Sequence, residues 1–253
     1  MCIRDRLSAV DAQKLLKKFA HDFTPYLGPA YPWYSIVDAL KSHGLKYEFY
    51  PSKETLVKEV AQMVADQQII GWFQGRMEWG PRALGSRSIL ASAATVEMRD
   101  IINEKVKHRE LFRPFAPVIL EEHTSKYFKS DRRLPKSARY MLMVYPFKSK
   151  IGEKDVPAVV HLDGTGRLQT LHREDNPLYY GLIEQFEKIT GVPIIINTSF
   201  NIRGEPIVCT PDNAINCFLH TDIDVLVLDQ FVVRKKRVRA AKTKPRATRR
   251  KHV

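Results

Sequence analysis

Residues 192–199 read Val192-Pro193-Ile194-Ile195-Ile196-Asn197-Thr198-Ser199. The apolar half of this stretch is too short for a helix, which favours a buried strand in the centre of a sheet. The polar half follows directly. Ligands of open α/β sheets bind beyond the carboxyl ends of such strands. The stretch therefore predicts both a central strand and a ligand site where that strand ends.

Helical and extended patterns alternate around this strand. Residues 177–190 are predicted to form a helix that stops at Gly191, and 53–67 another helix with one apolar face. A buried strand is predicted at 69–73. The alternation predicts an α/β fold with a mixed sheet flanked by helices. Further helices are predicted at 35–43, 95–108 and 210–220, and further strands at 47–50, 118–120, 140–145, 159–162, 225–228 and 231–233.

Three glycines and three arginines alternate just after the strand at 69–73. Residues 75–88 read Gly75-Arg76-Met77-Glu78-Trp79-Gly80-Pro81-Arg82-Ala83-Leu84-Gly85-Ser86-Arg87-Ser88. Glycine permits close backbone approach, and the arginine fork matches phosphate or carboxylate oxygens. The pattern predicts an oxyanion site. The alternative is a tight turn whose arginines form surface ion pairs, although the nearby acids, Glu78 and Glu97, are too few to pair all three.

This segment is not expected to be a nucleotide-binding P-loop. The spacing of Gly80 and Gly85 matches one, but Ser86-Arg87 stands where lysine and serine or threonine are required. A strand-like Ile89-Leu90 also follows, where a P-loop would begin a long helix.

Basic residues end the helix predicted at 95–108 and continue beyond it. Lys105 and Arg109 fit a role in complementing the helix dipole. Lys107 and Arg113 are the stronger candidates for ligand binding, because Pro114 and Pro117 fix the backbone that follows.

A polar cluster lies at residues 161–167, His161-Leu162-Asp163-Gly164-Thr165-Gly166-Arg167. On a strand, His161 and Asp163 would share one face. Two ligands are too few for a metal site, so a hydrogen-bonded pair in a polar cleft is favoured and no metal is predicted. Arg167 is a further oxyanion candidate.

The polar row from Asn197 to Pro206 offers hydroxyls, amides and backbone N–H groups at the end of the central strand. Its alternative is a purely structural turn. Since the sequence shows neither a serine nucleophile elbow nor a thiolate site, the chemistry expected is electrostatic catalysis on phosphate.

Composition places the chain among globular proteins, with 44% hydrophobic and 10% aromatic residues. No apolar run approaches the roughly 20 residues of a membrane span, and no secretory leader is apparent, so a soluble, cytoplasmic protein is expected. Three cysteines without metal-ligand spacing predict neither disulfides nor a zinc site.

The net charge of +13 is concentrated at the C-terminus. Residues 234–253 hold eleven lysines and arginines and no acid, which leaves the rest of the chain at +2. Such a tail is expected to be disordered, with at most nonspecific nucleic-acid contact. The expected organisation is an N-terminal remnant and linker at 1–32, a folded domain at 33–233 and the tail at 234–253.

Residues 75–90, 105–120, 161–171 and 197–208 resemble, in this order, the motifs of the C-terminal, YrdC-like domain of O-carbamoyltransferases that modify antibiotics and nodulation factors. The resemblance covers roughly residues 33–233. It implies a twisted α/β sheet with a basic concave cleft, which binds carbamoyl phosphate and ATP with Mg²⁺ and forms carbamoyl adenylate. It also implies a partner: an N-terminal, metal-binding domain in which a substrate hydroxyl attacks that intermediate.

That N-terminal domain is not found in this sequence, so a detached or truncated half is expected, and Gly166 replaces the family's commoner alanine. The alternatives are an RNA-binding YrdC-like module and an inactive fragment. Carried over by motif and joined to the candidates above, the expected catalytic residues are Arg82, Lys107 and Arg113, and the expected substrate- or ATP-binding residues are Arg76, Arg87, His161, Asp163, Thr165, Arg167, Asn197, Thr198, Ser199, Asn201 and Arg203.

Overall fold

A computed structural model describes residues 24–130 and 134–235. Its α-helices are α1 (Trp33–Ser42), α2 (Lys53–Ala65), α3 (Val96–Ile101), α4 (Thr124–Tyr127), α5 (Ser149–Asp155), α6 (Pro177–Thr190) and α7 (Pro211–Leu219). Its strands are β1 (Glu48–Phe49), β2 (Ile70–Phe73), β3 (Arg87–Ser92), β4 (Ala116–Leu120), β5 (Tyr145–Pro146), β6 (Thr165–Gly166), β7 (Gln169–Leu171), β8 (Ile194–Ser199), β9 (Val225–Leu228) and β10 (Phe231–Arg234).

Eight of these strands form one mixed sheet in the order β1-β10-β9-β2-β3-β8-β4-β7. Strand β2 runs parallel to β9, and β4 runs parallel to β7, while the other neighbours are antiparallel. Strands β5 and β6 pair separately. The predicted α/β fold with a mixed sheet is therefore confirmed.

Helices cover both faces of the sheet, as strand β8 shows. Its alternate side chains point to opposite faces, so Ile195 packs in the core that α2 and α6 cover. Ile194 and Ile196 pack in the core shared with α1, α3 and α7. An apolar strand buried on both faces is what the predicted central strand requires.

Local chemistry sets the helix ends. The Asn176 side chain accepts the backbone N–H of Tyr179 at the start of α6, and Gly191 ends that helix with a φ of 76°. The helix predicted at 177–190 is thus confirmed at both ends. Helix α7 begins as predicted, with Thr210 as its N-cap in a reciprocal pair with Asn213.

Three predicted elements differ from the structure. Residues 140–145 and 159–162 do not form the predicted strands. Met141 and Val159 are buried at the 3₁₀ turns Lys136–Tyr140 and Pro157–Val159, whereas Leu142, Met143, Val144 and Leu162 are exposed, so neither run presents a continuous apolar face to the core. Only Tyr145 of the first run lies in a strand. The helix predicted at 95–108 is α-helical only as α3 and continues as a π-helical turn, Ile102–Val106.

Strand β7 was not predicted, because its buried residues include the polar Gln169 and Thr170. Strand β10, which lies next to the edge strand β1, includes Arg234, the first residue of the expected tail, whose Nε lies 3.1 Å from Glu48 Oε1. The basic run beyond Lys235, and residues 1–23 of the N-terminal remnant, lie outside the described residues. Within the described ranges, no helix combines the length and the apolar character needed to cross a membrane.

Candidate functional site

The loop that joins β2 to β3, residues 74–86, carries most of the predicted glycines and arginines and is called the arginine loop here. The buried carboxylate of Glu78 fixes its course. Glu78 Oε1 accepts the backbone N–H groups of Leu84 at 2.7 Å, Ser86 at 2.6 Å and Arg87 at 3.3 Å. One side chain thus holds together the half of the loop that follows Arg82.

Gly85 lets the arginine loop pack closely against α6. Its φ is +110°, and a Cβ at this position would lie 2.2 Å from Cδ1 of Tyr179. The Trp72 indole N–H also donates to the Gly85 carbonyl at 2.9 Å. This position therefore requires glycine for both its conformation and its space.

Residues 24–32 are the described part of the expected N-terminal remnant and linker at 1–32, and they form neither helix nor strand. They are nevertheless bound to the arginine loop. Gly28 N donates to the Met77 carbonyl at 2.9 Å, and Met77 N donates to the Pro29 carbonyl at 3.0 Å. The Tyr26 hydroxyl donates to the Leu84 carbonyl at 3.1 Å. Residues 24–32 thus act as a strap along the loop.

A polar cavity of about 110 Å³ opens beside the arginine loop, at the carboxyl end of β8. Three arginines, Arg82, Arg109 and Arg167, approach it from three separate segments. Among the described residues that line it there is no carboxylate. The remaining lining residues are Pro81, Ala83, Pro114, Phe115, Ala116, Met141, Asn197, Thr198 and Ser199.

The three arginine charges lie close enough to act on one another. Burial lowers the pKa of Arg167, and the charge of Arg82 lowers it further. Burial also lowers the pKa of Arg109, helped by the charges of Arg113 and Arg167. The buried Nε of Arg167 has no hydrogen-bond partner among the described residues. Cations held together in this way favour an anionic ligand.

Arg109 is fixed by its surroundings. Its Nε donates to Asn103 Oδ1 at 2.7 Å, and its guanidinium carbon lies 4.8 Å from the centroid of the Phe115 ring. Phe115 is itself buried next to β4. Because packing and a hydrogen bond hold the side chain, little conformational entropy is lost when it binds a ligand.

Lys107, predicted to be catalytic, is buried behind the cavity and is not among its lining residues. Its Nζ donates to Asn201 Oδ1 at 2.8 Å and to the Asn201 carbonyl at 3.0 Å. It also donates to the carbonyl and the hydroxyl of Ser199. Burial lowers its pKa to about 7. In this structure the lysine organises the turn that carries Ser199 and Asn201.

Three predicted arginines are not brought into the cavity. Arg76 is exposed and donates to the Leu27 carbonyl at 2.8 Å. Arg113 is exposed, and its Nε lies 3.1 Å from Glu110 Oε2. Arg203 is exposed and donates to the His108 carbonyl at 3.3 Å. Local carbonyls and a carboxylate hold these side chains at the surface.

Arg87, predicted to bind substrate, is instead fully buried. Its guanidinium lies 3.5 Å from the centroid of the Phe73 ring and donates to four backbone carbonyls. Burial lowers its pKa to about 10, against the raising effect of Glu78. Arg87 therefore joins the strap to the arginine loop: its acceptors are the carbonyls of Pro29, Gln74, Gly75 and Ser86.

His161 and Asp163 do not lie on a strand, contrary to the prediction. They belong to a turn that ends at β6, in which His161 N donates to the Thr165 carbonyl at 2.8 Å. The Thr165 hydroxyl joins the two, at 3.1 Å from His161 Nδ1 and 2.7 Å from Asp163 Oδ1. The turn leads directly into Arg167, so it positions that arginine beside the cavity.

Neither Arg109 nor Gln169 is among the site residues predicted from the sequence. Arg109 was assigned to the helix dipole, but the chain turns at His108, which has a φ of 46°. A left-handed residue is not visible as such in the sequence. Gln169 Nε2 donates to the Leu84 carbonyl at 3.0 Å, and Asn197 Nδ2 donates to Gln169 Oε1 at 2.7 Å. Gln169 is buried within β7, and nothing in the sequence around it indicates that this polar side chain lies beneath the site.

A larger cavity of about 590 Å³ lies beside Trp33, Phe49 and Phe231. Its lining is mostly apolar, and its charged residues are one lysine, Lys41, and one acid, Asp229, so it lacks the cluster of positive charges expected of a site for phosphate chemistry. In the described part of the chain, no group of three or more histidine, cysteine or acidic side chains is placed to hold a metal ion.

Comparison with known proteins connects this geometry to a family. Residues 61–235 match the family described as Carbamoyltransferase C-terminus. Nodulation protein NolO of Bradyrhizobium diazoefficiens is 45% identical over 186 residues, which cover 72% of this chain and 33% of NolO. Uncharacterized protein sll1178 of Synechocystis is 42% identical over 231 residues, which cover 83% of this chain and 37% of that protein.

A solved structure shares the fold. Full-length HypF, crystallised in a phosphate- and nucleotide-bound form, superposes with a TM-score of 0.50 at 19% identity, over 76% of this chain and 23% of HypF. This likeness supports the YrdC-like architecture. The chain spans about a third of the length of the curated relatives described above. The matched family covers more than half of the chain, which therefore belongs to the carbamoyltransferase family and carries its C-terminal, YrdC-like domain.

Proposed function

We propose that this domain binds carbamoyl phosphate and ATP and forms carbamoyl adenylate for transfer to the hydroxyl of a small molecule. The observation that carries the proposal is the cavity into which Arg82, Arg109 and Arg167 converge without a carboxylate among its described lining residues. Both substrates present phosphate oxygens, which match the planar donor forks of arginine.

The chemistry proposed is phosphate-centred. The overall balance is carbamoyl phosphate plus ATP plus water giving carbamoyl adenylate, inorganic phosphate and pyrophosphate. Water releases phosphate from the carbamoyl group, and a carbamate oxygen then bonds to the α-phosphorus of ATP as the bond to pyrophosphate breaks. Arg82, Arg109 and Arg167 would hold the phosphate oxygens and stabilise developing negative charge.

Asn197, Thr198 and Ser199 would position the reacting groups by hydrogen bonds, because all three line the cavity. Lys107 would support them indirectly through its bonds to Ser199 and Asn201. Mg²⁺ would enter with the ATP phosphates, since the described residues hold no cluster of three or more histidine, cysteine or acidic side chains for it.

Transfer of the carbamoyl group would need a further part of the protein. Relatives such as NolO are about three times as long as the matched segment, so the acceptor site is proposed to lie in an additional domain, the N-terminal one that the sequence resemblance implies. A domain that only activates the carbamoyl group would pass the adenylate to that site.

The assay is carbamoyl-phosphate-dependent release of pyrophosphate from ATP. We expect release only when both substrates and Mg²⁺ are present, with or without an added N-terminal domain. Arg82→Lys keeps the charge but loses the fork, so it should lower kcat/KM by at least about tenfold. If purified, folded protein releases no pyrophosphate under any of these conditions, the proposal is wrong.

A further inference from the structure

Two buried amide side chains form a chain of hydrogen bonds beneath the cavity. Gln169 in β7 and Asn197 in β8 are each 1% exposed, and they lie on the two strands that flank β4. Gln169 Nε2 donates to the Leu84 carbonyl at 3.0 Å. Asn197 Nδ2 donates to Gln169 Oε1 at 2.7 Å and to the Ala83 carbonyl at 3.2 Å.

The order of donors and acceptors in this chain fixes how both amides are turned. Backbone carbonyls only accept hydrogen bonds, so the NH₂ group of Gln169 must face Leu84 and that of Asn197 must face Ala83. Gln169 then presents Oε1, which is the acceptor that the second N–H of Asn197 needs. Neither amide can flip without placing an oxygen against a carbonyl oxygen.

Asn197 Oδ1 is the amide atom left over. It is buried and has no hydrogen-bond partner among the described residues. Asn197 lines the cavity, where the three arginine side chains are donors only. A buried acceptor without a partner costs free energy until a ligand donates to it. An acceptor whose orientation is locked thus belongs to a residue that lines the cavity, beside donors for an oxyanion.

We propose that Gln169 is a specificity-determining positioning residue: it locks the Asn197 amide so that Oδ1 accepts an N–H from the ligand. The ligand class selected is an anion that carries an amide NH₂ beside its phosphate. This inference rests on the proposed function, within which it separates carbamoyl phosphate from acetyl phosphate, a close mimic with a methyl group in place of NH₂.

The experiment is isothermal titration of the full chain with three probes: carbamoyl phosphate in the cold, acetyl phosphate and inorganic phosphate. Wild type should bind carbamoyl phosphate about tenfold more tightly than acetyl phosphate, the effect of one buried hydrogen bond. Gln169→Met is similar in size but removes one of the two acceptors that hold the Asn197 amide, leaving only the Ala83 carbonyl. It should lower that ratio at least about threefold while phosphate affinity changes less than about twofold.

Gln74→Met is the matched control. Gln74 is also buried, and its Nε2 donates to the Asp229 carbonyl at 2.8 Å, away from the cavity lining. The Gln74→Met variant should lose about as much stability as Gln169→Met without changing the ratio of the affinities for carbamoyl and acetyl phosphate. Equal wild-type affinity for carbamoyl and acetyl phosphate would refute the locked acceptor but leave the anion site intact. Absence of binding to all three probes would overturn the proposed function with it. If Gln169→Met leaves the affinity ratio unchanged, Gln169 does not contribute to the discrimination between the two ligands.

Discussion

Lys107 Nζ lies 2.8 Å from Asn201 Oδ1, so a buried ammonium group closes the turn that follows β8. The same nitrogen donates to the Ser199 hydroxyl at 3.3 Å. Ser199 lines the cavity and Lys107 does not. The lysine therefore influences the site through the residues it holds, and its lowered pKa links the stability of the fold to pH.

This link predicts how stability depends on pH. Burial lowers the pKa of Lys107 to about 7, below its ordinary value near 10.5. Between these two values the unfolded chain binds a proton that the folded chain has lost, so the lysine's contribution to stability rises with pH, by at most about 1.4 kcal/mol per unit. Below pH 7 both states are protonated, and the contribution is constant.

The measurement is urea unfolding of wild type and Lys107→Met at pH 6, 7, 8 and 9. The stability difference between them should shift in favour of wild type from pH 7 upwards and should stay flat from pH 6 to 7. A difference that is independent of pH over the whole range would mean that Lys107 keeps its ordinary pKa.

Glu78 is predicted to be a main determinant of the arginine loop. Glu78→Ala leaves three backbone N–H groups without their acceptor and should lower the free energy of unfolding by at least about 3 kcal/mol. Glu78→Gln retains a carbonyl oxygen in the same place and should cost only about 1 kcal/mol. Chemical denaturation of both variants makes the comparison, and equal losses would show that charge, not the acceptor, holds the loop.

Gly85 and Gly80 form a natural pair for testing close packing. Both have a φ of +110°, but a Cβ at Gly80 meets no atom within 4 Å, whereas one at Gly85 meets the Tyr179 ring. Gly80→Ala should cost only the backbone strain, about 1 to 2 kcal/mol. Gly85→Ala adds overpacking, for a total of about 3 kcal/mol or more. Thermal unfolding measures the loss of stability in the two variants. Similar losses in both would contradict the packing argument.

The framework of the fold follows from the sequence because its signals are local. Helix α6 has an asparagine cap, a proline at its first position and a glycine after its end, and strand β9 is an uninterrupted apolar run. The arginine loop was predicted as an oxyanion site from residue type alone. Arg82 and Arg167 line the cavity together with Asn197, Thr198 and Ser199.

What the sequence did not show depends on tertiary contacts. Arg87 and Arg82 belong to the same glycine- and arginine-rich stretch, so the sequence does not distinguish them. The backbone of Arg87 lies at the start of β3, however, and its side chain is buried among carbonyls. The binding of Tyr26 to Leu84 joins residues 58 positions apart. No pattern within one segment reveals such a pairing, nor the turn at His108 that brings Arg109 to the cavity.

Arg109 and Arg113 provide the sharpest test of the site, because the sequence favours Arg113 and the structure favours Arg109. Arg109 lines the cavity and stacks on Phe115, while Arg113 is exposed beside Glu110. The matched changes Arg109→Lys and Arg113→Lys keep both charges. Arg109→Lys should weaken binding of carbamoyl phosphate about tenfold, since an ammonium cannot reproduce the planar fork, and Arg113→Lys should weaken it less than twofold. Isothermal titration with circular dichroism as the folding control measures both. The reverse order would place Arg113 on the ligand and return Arg109 to a structural role at the end of its helix.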